Sequence, residues 1–129
     1  MKDLKDFLPI PSVKVFTSRK KAKKYVKKHI GLEYRWLNGV DGQASLYEHP
    51  EAGSVAVITL ECDQYAADSR IALLAHECCH IVDDWFKMIG ERDTATEVRA
   101  YMLEGLMYAA IDQLGEEWLI PQAKDTNEK

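Results

Sequence analysis

The stretch from Asp68 to Gly90 constrains the fold more than any other. Read at about 100° per residue, Ile71, Leu74, Ala75, Cys78, Ile81, Val82, Trp85 and Ile89 gather on one side. Ser69, Leu73, His76, Glu77, His80, Asp84 and Lys87 fall on the other. So wide an apolar stripe predicts a helix that buries one side against a core. Asp68 or Ser69 supplies its cap and Gly90 its stop. Away from the core sits the run His76-Glu77-Cys78-Cys79-His80. Residues four apart lie one helical turn above each other, so both imidazoles can address a single ion. A surface helix that happens to carry two histidines and a solvated glutamate would give the same wheel.

This spacing suits zinc. Neutral imidazole binds the ion at about 2.0–2.1 Å, and a catalytic site takes three protein ligands plus water. Glu77, next to the first histidine, is placed to take a proton from that water and hand it to a leaving amine. H-E-x-x-H on a helix is a recurrent zinc-hydrolase signature.

A third ligand would come from a later helix. Gly90 ends the first, Glu91-Arg92-Asp93 is a short connection, and Thr94 caps a second that runs to about Leu114. Ala100, Leu103, Met107, Ala110 and Leu114 form its predicted inner stripe, with Glu97, Tyr101, Glu104 and Tyr108 along the border. Glu97 is the candidate ligand, because a short turn brings the start of this helix back beside the preceding one. Glu104 lies about 10 Å further along the axis, so the two cannot share one ion. Thr94-Ala95-Thr96-Glu97 is equally a capping box, in which Glu97 only starts the helix. Asp83 and Asp84 could serve as ligands or as partners to an imidazole N–H, or simply belong to a solvated face.

His76-Glu77-x-x-His80 followed by Glu97-x-x-Ala100-Tyr101 resembles the gluzincin type of zinc peptidase. More narrowly, the run from Ala75 to Tyr108 resembles small metallopeptidases encoded by phages and prophages. There an A-H-E-x-x-H helix leads through an I-G-E-like turn, here Ile89-Gly90-Glu91, to an E-x-x-A-Y helix. The resemblance covers about a quarter of the chain and implies zinc at His76, His80 and Glu97, with Glu77 as general base. Cys78 and Cys79 depart from it, since small or aliphatic residues are usual there; their thiols could attract metal or oxidise.

At 129 residues the chain suffices for one core-bearing domain, expected over 1–123, with a disordered tail over 124–129. Three cysteines, two of them adjacent, make no disulfide framework and suggest a reducing compartment. No apolar leader core and no run of about 18 apolar residues is present, so the expected location is the cytoplasm of a bacterium or an infected host cell, without a membrane span.

Charge is lopsided. Residues 1–28 hold ten Lys and Arg against Asp3 and Asp6, a balance of +8; the rest holds seven against nineteen acids, −12, and the total is −4. After an extended lead-in over 1–11, residues 12–16 alternate as a first strand. Ser18 then caps a helix to about Ile30, stopped by Gly31. Ala22, Tyr25, Val26 and Ile30 line its inner side, and lysines cover the remainder. The basic helix 19–28 carries the footprint of phosphate binding, but a plain solvated face has the same composition and is the favoured reading.

Residues 33–38 are expected as a second strand, and 43–48 with 54–61 as a hairpin. Ser54–Glu61 is the expected edge strand along which a substrate backbone would lie. The expected fold is therefore α+β, a minimal zincin-like arrangement. A small twisted sheet and a basic helix precede two packed metal-binding helices. The expected function is zinc-dependent hydrolysis of a peptide or protein substrate with Glu77 as base. Tyr101 is placed either to donate to the oxyanion or to orient a ligand as a buried phenol. The alternative is a binding protein whose zinc braces the fold while the basic helix engages nucleic acid or an acidic partner.

Overall fold

A computed structural model describes residues 11–37, 40–49, 53–88 and 96–119, the side chains of Thr96 and Glu97 excepted. Three strands form a mixed sheet of order β1-β3-β2: β1 (Ser12–Phe16), β2 (Gly42–His49) and β3 (Gly53–Leu60). β1 runs parallel to β3, pairing Val13 with Ala56, and β2 runs antiparallel to it, pairing Leu46 with Ala56. Between β1 and β2 come α1 (Arg19–Tyr25) and a π-helical turn over Val26–Ile30. α2 (Ala67–Met88), α3 (Thr96–Leu114) and the short α4 (Glu116–Leu119) follow the sheet. The chain is thus α+β.

β3 is the spine. Six successive residues, Val55 to Leu60, are buried, because helices cover both faces of the sheet. Side chains alternate along a strand, so Val55 and Val57 meet Ala22, Val26 and Ile30, while Ala56, Ile58 and Leu60 meet α2 and α3. Ser54–Glu61, expected as an edge, is central instead. The pairing order places β1 and β2 on its two sides, and pairing order is a non-local property that alternation does not reveal.

The inner positions of α1 are spaced by four, and in a 3.6-residue helix each such step drifts by about 40°. Widening to a π turn from Val26 reduces the drift and keeps Val26 and Ile30 on the sheet. Gly31, at φ 84°, then ends the helix in the left-handed conformation.

Residues 33–37 form no strand, against expectation. The Tyr34 hydroxyl turns inward to Thr59 Oγ1 at 2.6 Å. The Gln43 side-chain amide donates to the Arg35 carbonyl at 2.7 Å and accepts from Leu37 N–H at 3.1 Å. One side chain thus satisfies the backbone that a strand ladder would otherwise serve. Asn38 lies outside the described residues.

α2 buries Leu74, Cys78, Ile81, Val82 and Phe86 against β3 and α3. Its partner α3 departs from the expected stripe: Met102, Leu106 and Ala110 are buried, Leu103, Met107 and Leu114 are half-buried, and Ala100 is exposed. Apolar residues surround α3 almost entirely, so periodicity could not select its inner face. α4 docks through buried Trp118, over which the Arg70 guanidinium lies 5.5 Å from the ring centroid. Among the described residues no helix is long and apolar enough to cross a membrane.

Candidate metal centre

His76 and His80 lie one turn apart on the exposed side of α2. Their rings meet nearly edge to face, with centroids 4.7 Å apart and an interplanar angle of 85°. The two Nε2 atoms stand 3.2 Å apart. Two nitrogens at zinc–imidazole distances and a tetrahedral angle are separated by about 3.3 Å. The observed separation is thus close to the one that two imidazoles take around a single zinc ion. A neutral pair in opposite tautomers, one Nε2–H donating to the other Nε2, fits the same distance.

Glu77 is not the solvated carboxylate that the wheel suggests. It is only 5 % exposed. α2 lies across β2, so the flank carrying Leu73 and Glu77 faces the start of that strand. A Cβ at Gly42 would come within 2.9 Å of Glu77 Oε2 and 3.1 Å of Leu73 Cδ1, so the missing side chain leaves the space this carboxylate uses. The Glu77 carboxylate accepts no hydrogen bond from any described residue. Burial pushes its carboxyl above the usual carboxylate range, an effect opposed by the neighbouring imidazoles of His76 and His80. The carboxylate is thus buried and lies beside two imidazoles.

Gly42 was not identifiable from sequence, where Asp41-Gly42 reads as a turn. Its one available signal was a glycine opening an alternating run, which can mark close approach of another group. Around it, Asp41 accepts a hydrogen bond from the Tyr65 hydroxyl, and the Asp41 carbonyl accepts from Glu61 N–H at 2.7 Å. These bonds tie the start of β2 to the link that enters α2.

Among the described residues, no group of three or more His, Cys, Asp and Glu side chains is arranged around an ion. Asp83 instead pairs with Arg99 of α3, and Asp84 and Glu104 do not join the histidines. Glu97 lies in the first turn of α3, and its side chain, like the connection 89–95 with Gly90 and Thr94, falls outside the described residues. Tyr101, one turn on, is half-buried and makes no hydrogen bond with a described residue. Cys78 is fully buried in the core, where desolvation pushes its thiol up to about 12, and only Cys79 faces solvent. Neither thiol joins the histidine pair.

A concavity of about 410 Å³ lies between Ala75 of α2 and Ala100, Leu103, Glu104, Met107, Tyr108 and Ile111 of α3. Comparison of the chain with protein-family models, curated proteins and solved structures yields no match.

Proposed function

We propose that the chain is a zinc-dependent hydrolase acting on peptide bonds, with a minimal zincin-like fold. The observation that carries the reading is the 3.2 Å approach of His76 Nε2 to His80 Nε2, with the buried Glu77 carboxylate next to it. His76 and His80 would hold the ion, and Glu97, carried by the first turn of α3, would complete its protein ligands. Zinc held there would polarise a substrate carbonyl and lower the pKa of water toward neutrality. Glu77 would take the proton from the attacking water and deliver it to the leaving nitrogen. The Tyr101 hydroxyl would donate to the oxygen that gains charge.

An extended substrate would lie along β2. The outer edge of β1 is occupied by Gln113, whose side-chain amide donates to the Val13 carbonyl and accepts from Val15 N–H. β2 has no such cover by described backbone, and its Gly42 end reaches Glu77. Main-chain bonding along that edge supplies affinity without deep pockets.

The test combines elemental analysis with a screen of unstructured polypeptides. One zinc per chain is expected, retained in Glu77→Gln and lost in His76→Ala, with hydrolysis absent from both variants. Wild-type protein without zinc after reconstitution would overturn the metal site. Zinc with hydrolysis unchanged in Glu77→Gln would overturn the assigned base.

A further inference from the structure

The helix on the opposite face of the sheet carries a run of like charges with no acid along its own length. Arg19, Lys20, Lys21, Lys23, Lys24, Lys27 and Lys28 are all exposed, and no acid occurs in the sequence between Asp6 and Glu33. Lys20–Lys24, Lys23–Lys27 and Lys24–Lys28 are like-charge pairs at i, i+4, each destabilising to a helix. The first turn of α1 holds three cations and no acid, the wrong sign for the positive end of the helix dipole. Only Arg19 finds an anion among the described residues, its guanidinium bonding Glu61 at 2.7 and 2.9 Å. The six lysines therefore repel one another across one continuous surface. Lys23 and Lys27 also line a hollow of about 350 Å³ together with Gly31, Leu32, Glu33 and Tyr34.

We infer that this surface docks the phosphate backbone of a nucleic acid, independently of base sequence. The residue type selects the partner. Lysine is depleted at protein–protein interfaces, which favour Arg and aromatic anchors, whereas its compact charge serves phosphate well. The one arginine is already engaged by Glu61 and stacked 4.5 Å over Trp36. The exposed side of the helix offers no Asn, Gln or free Arg to read base edges. The sheet lies between this surface and His76, because α1 packs on Val55 and Val57 while α2 packs on Ala56 and Ile58. Nucleic acid could be held there with the metal-centre face left open, and the inference does not depend on the hydrolase reading.

The experiment is fluorescence anisotropy of a labelled 20-base-pair duplex with the full chain between 50 and 200 mM NaCl. Contact with roughly four to six phosphates gives a log–log salt slope of about −4 to −5, hence a loss of affinity of about 10²–10³-fold over that range. The deciding variant is Lys20→Glu/Lys23→Glu. It puts an acid in the first turn and converts two repulsive pairs, with Lys24 and Lys27, into attractive ones. Duplex binding should weaken at least tenfold while Tm rises by roughly 2–5 °C. A gain in stability coupled to a loss of binding is what a surface kept for an anionic partner gives, and what an idle solvated face does not. Lys87→Glu, on the exposed side of α2, should leave binding within twofold. No binding at 50 mM salt would overturn the inference, as would equal weakening by Lys87→Glu or a fall in Tm of the double variant. Polyglutamate competing as well as unlabelled duplex would overturn it in favour of an acidic protein.

Discussion

A methyl group on Gly42 would meet Glu77 Oε2 at 2.9 Å and Leu73 Cδ1 at 3.1 Å, so residue 42 and residue 77 share one space. Gly42 does not have a positive φ, so alanine is no backbone problem there, and on conformational entropy alone it should stabilise. The steric term opposes that gain, because the buried carboxylate must move. Overpacking costs about 1–3 kcal/mol, against about 0.4–1 kcal/mol gained in the unfolded chain. Gly42→Ala is therefore expected to lower stability by about 1 kcal/mol, the balance of those two effects. In a Glu77→Ala background the same substitution should cost clearly less, because the 2.9 Å contact is gone and only the tight approach to Leu73 remains. Urea denaturation of the four proteins measures this as a double-mutant cycle. Additive effects would show that Gly42 does not set the position of the Glu77 carboxylate.

Among the helices, α2 was the most legible in sequence and α3 the least. The 3.6-residue period and the i, i+4 histidines of α2 are local, so sequence located the helix and brought His76 to His80. Its first residue is Ala67, ahead of the cap expected at Asp68 or Ser69, and the expected stop, Gly90, lies outside the described residues. What sequence could not supply was which strand α2 would cross, and hence that Glu77 would be buried at Gly42. The same holds for β3, whose position between β1 and β2 follows from pairings at long separation. Residues 33–37 failed as a strand because a glutamine side chain took the place of a neighbouring backbone. On α3 the difference is measurable. Leu106 is fully buried, whereas Leu103, assigned inward by periodicity, is half-buried at the concavity beside Ala75. Leu106→Ala should cost about 2–5 kcal/mol by transfer and cavity terms. Leu103→Ala should cost under about half as much, since less apolar surface returns to water. Chemical denaturation gives both values, and the reverse order would restore the stripe read from sequence.

At the scale of the whole molecule the sheet separates two chemistries: a lysine-covered helix on one face, and an imidazole pair with a buried carboxylate on the other. The second face rests on two helices joined through 89–95, and one polar link between them is the Arg99–Asp83 ion pair, which is largely solvent-exposed and weakly stabilising. An ion held by His76 and His80 of α2 together with Glu97 of α3 would cross-link these helices. Metal binding should then read out as global stability. Zinc in free excess at about 100 times its Kd adds about 2.7 kcal/mol. For a chain of this size that is a rise in Tm of roughly 8–12 °C. His76→Ala should abolish the rise and Glu97→Ala should remove most of it, while Asp84→Ala, exposed on α2 and apart from the histidines, should leave it intact. Calorimetry with and without zinc decides between the two readings of Glu97. If Glu97→Ala lowers Tm equally in both conditions and keeps the zinc increment, Glu97 only caps α3, and the histidines bind their ion without drawing the two helices together.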